Sequence, residues 1–215
     1  MLHSRIGAHR ASPTRRARVA VGLALTATVL GSLAMAPSVG AATVAPSATG
    51  AVALTTTAVD RPWYSVERFY LGLLNCSRTG GWVLSDGTCR GYGSGHYSKY
   101  VAPITYLFGL SDGVSRPYAR LLAGKAICSH YANGDPGSRL RASGYARWNW
   151  GENVGCRDGY STAKAAVLAS HLVFQSEKSA NGGHWKNMKN PKYHWAGIGI
   201  WRSSSRTRLV IDFYG

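Results

Sequence analysis

Acid is scarce in this chain. Its 215 residues hold 9 aspartates and glutamates against 25 lysines and arginines, a formal net charge of +16, which directs it toward anionic partners. Several motifs are also missing. The four cysteines contain no Cys-x-x-Cys pair, which argues against a zinc ribbon. No His-Glu-x-x-His run and no Gly-x-Ser-x-Gly context is present, which lowers the case for the common zinc proteases and for serine hydrolases. No period of about 20 to 50 residues repeats, so a solenoid is excluded. The basic residues come singly, without a basic helix or an aromatic-interleaved RNA motif, so nucleic acid is a disfavoured partner.

The chain opens as an export leader. Arg5, Arg10, Arg15, Arg16 and Arg18 precede an uncharged run from Val19 to Ala36, and Val39-Gly40-Ala41 supplies small residues at the cleavage spacing. This predicts a signal peptide over residues 1–41, with Arg15-Arg16 in keeping with the twin-arginine route. The alternative is an uncleaved anchor, since the run approaches the length of a membrane span, although it is rich in Ala, Gly, Ser and Thr. Residues 42–60 read as a flexible linker of Ala, Thr, Ser and Val, and residues 61–215 as one domain. Without the five leader arginines, 20 basic residues face 9 acidic ones, a formal +11. The charge suits an anionic envelope polymer or phospholipid head groups, hence also peripheral membrane contact, and it serves solubility as well. The expected location is secreted, or the cell envelope if the leader stays attached.

An even set of cysteines in an exported chain predicts disulfides. Of the three connectivities, the nearest-neighbour one, Cys76 with Cys89 and Cys128 with Cys156, closes the shortest loops. The apolar periodicity of Val66, Phe69, Tyr70, Leu73 and Leu74 predicts a helix from Tyr64 to about Arg78, with Ser65 as N-cap. Residues 79–100 are glycine-rich and polar, so an irregular loop stapled by Cys89 is expected. A second helix is expected from about Ser115, with Pro117 in its first turn and Leu122, Ala126 and His130 along one inward stripe. The segment from Tyr145 to Cys156 reads as extended chain carrying Glu152. A third helix, from about Thr162 to Glu177, would stack Ala169, Val173 and Glu177 on one face. A glutamate in the last turn meets the negative end of the helix dipole, so something other than helix stability is expected to keep it there. Trp195–Arg202 and Thr207–Tyr214, around the polar turn 203–206, predict a hairpin at the centre of the sheet.

His130, Glu152, Glu177 and His184 each fall at or just past the end of an apolar element, where two imidazoles and two carboxylates can line a cleft. Imidazole nitrogens can ligate a divalent cation while carboxylates orient them; the bland alternative for each histidine is an imidazole bonded to backbone. His171 falls on a different helix face from Glu177 and reads as structural or exposed. His96 and His194 have no motif support.

Four motifs in order resemble the CAP superfamily, or SCP domain, of cysteine-rich secretory proteins, venom antigens and plant pathogenesis-related proteins of class 1. Leu74-Asn75 with Arg78 is similar to the opening Asn-x-x-Arg, and Gly151-Glu152-Asn153-Val154 to the Gly-Glu-Asn signature. Gly183-His184 with Asn187-Met188 resembles a Gly-His-x-x-Asn form, and Gly197-Ile198-Gly199-Ile200 the strand that follows. The resemblance spans residues 64–215. It implies an α+β fold, a three-layer α-β-α sandwich with a central, mainly antiparallel sheet, and a cleft tetrad of His130, Glu152, Glu177 and His184. It also implies that Glu152 faces the cleft beside His130. Against the plant and venom members, Glu177 lies closer to His184, the segment from His130 to Glu152 is longer, and Trp185 and Lys186 follow the Gly-His pair.

The sequence therefore leads to a secreted binding domain in which His130 and His184 hold a divalent cation, zinc being the first candidate, and the cleft takes up an envelope or extracellular lipid, glycan or protein. Absence of a nucleophile paired with a base argues against an enzyme. Two alternatives stand: a metal-dependent envelope hydrolase with Glu152 or Glu177 as general base, and a structural surface protein with a vestigial tetrad.

Overall fold

The computed structural model describes residues 60–215, so the signal peptide and all of the linker but Asp60 lie outside the described residues. In chain order the elements are α1 (Tyr64–Arg78), β1 (Trp82–Val83), β2 (Cys89–Arg90), β3 (Thr105–Tyr106), α2 (Phe108–Leu110), a π-helical stretch (Ser111–Ser115), α3 (Arg116–Gly124), α4 (Pro136–Ala142), β4 (Trp150–Arg157), α5 (Ala163–Ser176), α6 (Gly183–Lys189), β5 (Trp195–Ser203) and β6 (Arg206–Tyr214). The main sheet has the order β3-β5-β6-β4, with β3 parallel to β5 and the other pairs antiparallel. The expected hairpin is there, β5 and β6 are the two inner strands, and Ser204-Ser205 make the turn.

Strand alternation builds the three layers. On one face Ile198, Ile200, Leu209, Ile211 and Phe213 pack with Tyr70, Leu74, Phe174, Trp185 and Met188 from α1, α5 and α6. On the other, Val154 and Val210 meet Tyr118, Ala119 and Leu122 of α3, while Tyr214 joins Leu110, Val114 and Leu140. The α-β-α sandwich is thus the one the motifs imply. The Gly-x-Gly of β5 has a steric cause: a Cβ on Gly199 would stand 2.1 Å from the Ser115 carbonyl carbon, and one on Gly197 2.6 Å from Ser115 Oγ. The π-helical stretch rests directly on the strand.

Both disulfides form, Cys76–Cys89 and Cys128–Cys156, closing separations of 13 and 28 residues. Each contributes about 3 kcal/mol by restricting the unfolded chain. Loop 79–100 is irregular apart from the β1–β2 ribbon.

Four local expectations need correction. Trp63, not Ser65, precedes α1, and no side chain caps it. The second helix begins its helical path at Phe108 and ends at Gly124, so His130 lies beyond it; Ala126 adopts a left-handed φ of 55°, which turns the chain out of the helix and toward Cys156. Ala169, Val173 and Glu177 do not form an inward stripe, because Val173 is exposed and α5 buries Ala163, Ala166, Val167, Ser170, His171, Phe174 and Gln175 instead. Two stretches whose glycines and proline suggest turns form short helices instead: α4, which Asp135 caps by accepting from Ser138 N, and α6, which starts at Gly183.

Candidate functional site

β4 is an edge strand, and the site is assembled over that edge. Alternation sends Glu152 toward the α3–α4 layer and Asn153 toward α6. The cleft between them, about 340 Å³, is lined by His130, Glu152, Asn153, Glu177, His184 and Asn187, with Gly182 and Gly183. The four predicted residues therefore share one cleft, His130 and Glu152 on one side of it and Glu177 and His184 on the other.

Glu152 is buried with its side chain 1% exposed. Its Oε1 accepts from His130 Nδ1 at 2.7 Å, and its Oε2 is paired with the guanidinium of Arg139. That guanidinium also donates to the carbonyls of His130 (2.9 Å) and Gly134 (2.7 Å) and lies 3.6 Å over the Tyr118 ring. Although His130 sits in irregular chain, its segment is fixed. Tyr118 Oη donates to Ser129 O at 2.7 Å and accepts from Ala132 N at 3.1 Å, Arg208 Nε donates to Ile127 O at 2.9 Å, and Cys128 is bonded to Cys156.

The second pair comes from the other layer. His184 Nδ1 meets Glu177 Oε1 at 2.5 Å, the His184 backbone N–H donates to Glu177 Oε2 at 2.9 Å, and the imidazole stacks on Phe174 with centroids 4.3 Å apart. This accounts for a glutamate at the C-cap of α5. Partial burial opposes its ionisation. The His184 ring and the backbone N–H groups of His184 and Trp185 outweigh that, so the Glu177 carboxyl titrates below the usual carboxylate range.

The two halves are joined by amides. Asn187 Nδ2 donates to Glu152 O (3.1 Å) and to Asn153 Oδ1 (2.9 Å), and Asn153 Nδ2 donates to His184 O (3.1 Å). This explains Gly151: a Cβ there would stand 2.7 Å from Tyr193 Oη and 2.9 Å from Asn187 Oδ1.

Sequence reasoning missed Arg139 and Asp212, and it named Asn187 only as part of a motif. Asp212 lies across the ladder from Glu152, wholly buried, and accepts from Ser115 Oγ at 2.7 Å. Burial, then the neighbouring Glu152 charge, push its carboxyl up to about 8. A β4–β6 register was the one signal for it. His171 is structural and fully buried beside Ser77 Oγ (3.0 Å), and burial lowers it to about 3.

Among the described residues, no three His, Cys, Asp or Glu side chains form a closed metal cage. The donor set nevertheless suits an open site. A carboxylate accepts, so the Nδ1 of each histidine is the nitrogen engaged by its glutamate, and Nε2 is the one not so engaged, the arrangement that orients a metal-binding imidazole.

The class defined by this fold is an α-β-α sandwich with a His/Glu cleft over a sheet edge. Among the solved structures to which the chain is similar is one of a protein that contains an SCP domain. An extracellular protein containing an SCP domain from Bacillus anthracis str. Ames is 16% identical over 54% of this chain and 35% of its own, with a TM-score of 0.40. NaASP2, solved with Zn2+, is 15% identical over 69% of this chain and 78% of its own, TM-score 0.45. BmVAL-1 is 14% identical over 74% and 80%, TM-score 0.47. The chain thus spans about a third of the Bacillus protein. At these identities and TM-scores the likeness assigns neither family, ligand nor activity. No protein-family model and no curated protein matches the sequence.

Proposed function

We propose that this is an exported binding domain in which His130 and His184 hold one divalent cation, zinc first among candidates, and in which the cleft takes up an envelope or extracellular ligand. The observation that carries the reading is the pair of Nδ1–carboxylate contacts, His130 with Glu152 and His184 with Glu177, in one cleft. The cation would supply a Lewis-acidic anchor for an oxygen of the ligand. Arg139 fixes Glu152, Glu152 fixes His130, and Glu177 fixes His184. The two disulfides suit an oxidising compartment, which supports export.

Zinc calorimetry tests the reading. His130→Ala and His184→Ala should each abolish binding, while His96→Ala, at an exposed position, should not. Affinity should fall on acidification, because protons compete for the imidazole nitrogens. Unchanged zinc affinity in both tetrad variants would overturn it.

A hydrolase is the weaker reading. The Glu152 side chain is 1% exposed and held on both oxygens, so Glu177, whose side chain is 27% exposed, is the carboxylate left to act as base. Zinc-loaded protein is expected to release no product from peptidoglycan, casein or short esters; turnover lost in Glu177→Gln would replace the binding reading by this one.

A further inference from the structure

A second cavity, about 680 Å³, opens where loop 97–102 meets α6, lined by Tyr97, Lys99, Tyr100, Lys178, Asn181 and Trp185 among others. Its size is that of a small-ligand site. Its wall is fixed. Lys189 Nζ donates to Ser77 O, Arg78 O and Lys99 O at 2.7 to 2.8 Å and meets Ser98 Oγ at 3.0 Å. Arg78 Nε bonds Ala102 O at 2.9 Å, and Val101 N bonds Arg78 O at 2.8 Å. Lys189 is therefore saturated by the loop it ties down, and burial, then Arg78 and Lys178, lower it to about 8.

The other two cations are free. Among the described residues neither Lys99 nor Lys178 has a hydrogen bond or ion pair from its ammonium group, and Lys178 Nζ lies 5.9 Å over Trp82. No acidic side chain lines the cavity. Two uncompensated ammonium groups in a cavity also lined by Tyr97, Tyr100 and Trp185 call for a ligand with a negative charge and a flat apolar face. Trp185 is buried in the core and forms part of the cavity wall. The rim offers the Asn181 amide and the tyrosine hydroxyls for a ligand's own hydroxyls.

We propose that this cavity binds an anionic saccharide, with a pyranose face against Tyr100 and its carboxylate or phosphate between Lys99 and Lys178. The site shares no lining residue with the His/Glu cleft, so the inference stands apart from the proposed function.

The test is titration of the full exported chain with a short oligogalacturonate at low salt and neutral pH, read by tryptophan fluorescence and calorimetry. Wild type should bind. The Lys99→Gln/Lys178→Gln double variant should lose about tenfold or more, Tyr100→Ala should lose several-fold, and higher salt should weaken binding. A neutral oligoglucan should not compete. Free galacturonate binding as well as the chain would identify a monosaccharide source, and weaker binding a polymer. Excess chelator should leave the affinity unchanged, which separates this site from the metal reading. No binding in the millimolar range, equal affinity in all variants, displacement by the neutral glucan or by palmitate, or loss on chelation would each overturn the proposal.

Discussion

Replacing Arg139 by Met should cost more than any other single change of a charged surface-layer residue near the cleft. Its guanidinium is the charge partner of Glu152, and the two side chains are 8% and 1% exposed. Removing one member of a buried pair leaves the other charge uncompensated, at about 3 to 5 kcal/mol. Here the orphan would be Glu152, with buried Asp212 across the ladder and only His130 left to bond it. The carbonyls of His130 and Gly134 lose their donor as well. For a domain of this size, that loss lowers Tm by about 10 °C or more. The control is Arg208→Met: its partner Asp158 is mostly exposed, and an ion pair with one member in water contributes about 1 kcal/mol or less, the rest of any cost there coming from the bond to Ile127 O. Urea unfolding at neutral pH supplies the numbers, and a double-mutant cycle with Glu152→Gln isolates the pair. In the Arg139→Met background, Glu152→Gln should restore stability, since it removes the orphan charge. A cost below about 1 kcal/mol for Arg139→Met, or strict additivity in the cycle, would refute the reasoning.

Three other predictions concern protons and sulfur. Asp212 holds its proton up to about 8 when folded but releases it in the usual carboxylate range when unfolded, so the native state binds the extra proton and stability falls as pH rises between the two; Asp212→Asn should flatten that slope in urea titrations, and parallel slopes would exclude Asp212 as its source. His171, lowered to about 3 by burial, binds protons more readily unfolded, so it contributes stability lost as pH falls from the ordinary imidazole range; its ring resonances should not titrate above pH 4, and a midpoint near 6.5 would show the ring to be hydrated. Alkylation of the native protein without reductant should add no mass; Cys128→Ser/Cys156→Ser should cost about 3 kcal/mol and weaken zinc binding, while Cys76→Ser/Cys89→Ser should cost as much and leave zinc binding intact.

What could be read from the sequence follows the range of the interactions. Helix α1 and the β5–β6 hairpin announce themselves by local periodicity, and the cysteine pairing by loop length. The tetrad came from the ordered motifs rather than from geometry. The inward stripe assigned to His130 failed because three residues matched at helical spacing while the chain had already left the helix at Gly124; Ala126 carries no signal for a left-handed turn. Helix α4 did carry one, Asp135 followed by Pro136, but the glycines on either side read as a turn. Arg139 and Asp212 act on Glu152 from 13 residues away and from across a ladder, and no local pattern marks either partner.

The position of the cleft over β4 bears on how the protein stays apart from copies of itself. An open strand edge invites another chain to add to the sheet. At the far edge the danger is small, because β3 is two residues long. At the near edge β4 has eight residues, and part of its outward backbone is occupied: the Glu152 carbonyl is held by Asn187, beneath a roof of His184 and Glu177. The residues that shape the cleft therefore also act as gatekeepers against strand addition. A ligand that prised α6 from β4 would uncover a template for self-association, so this cleft is suited to guests that enter from outside and leave its roof in place.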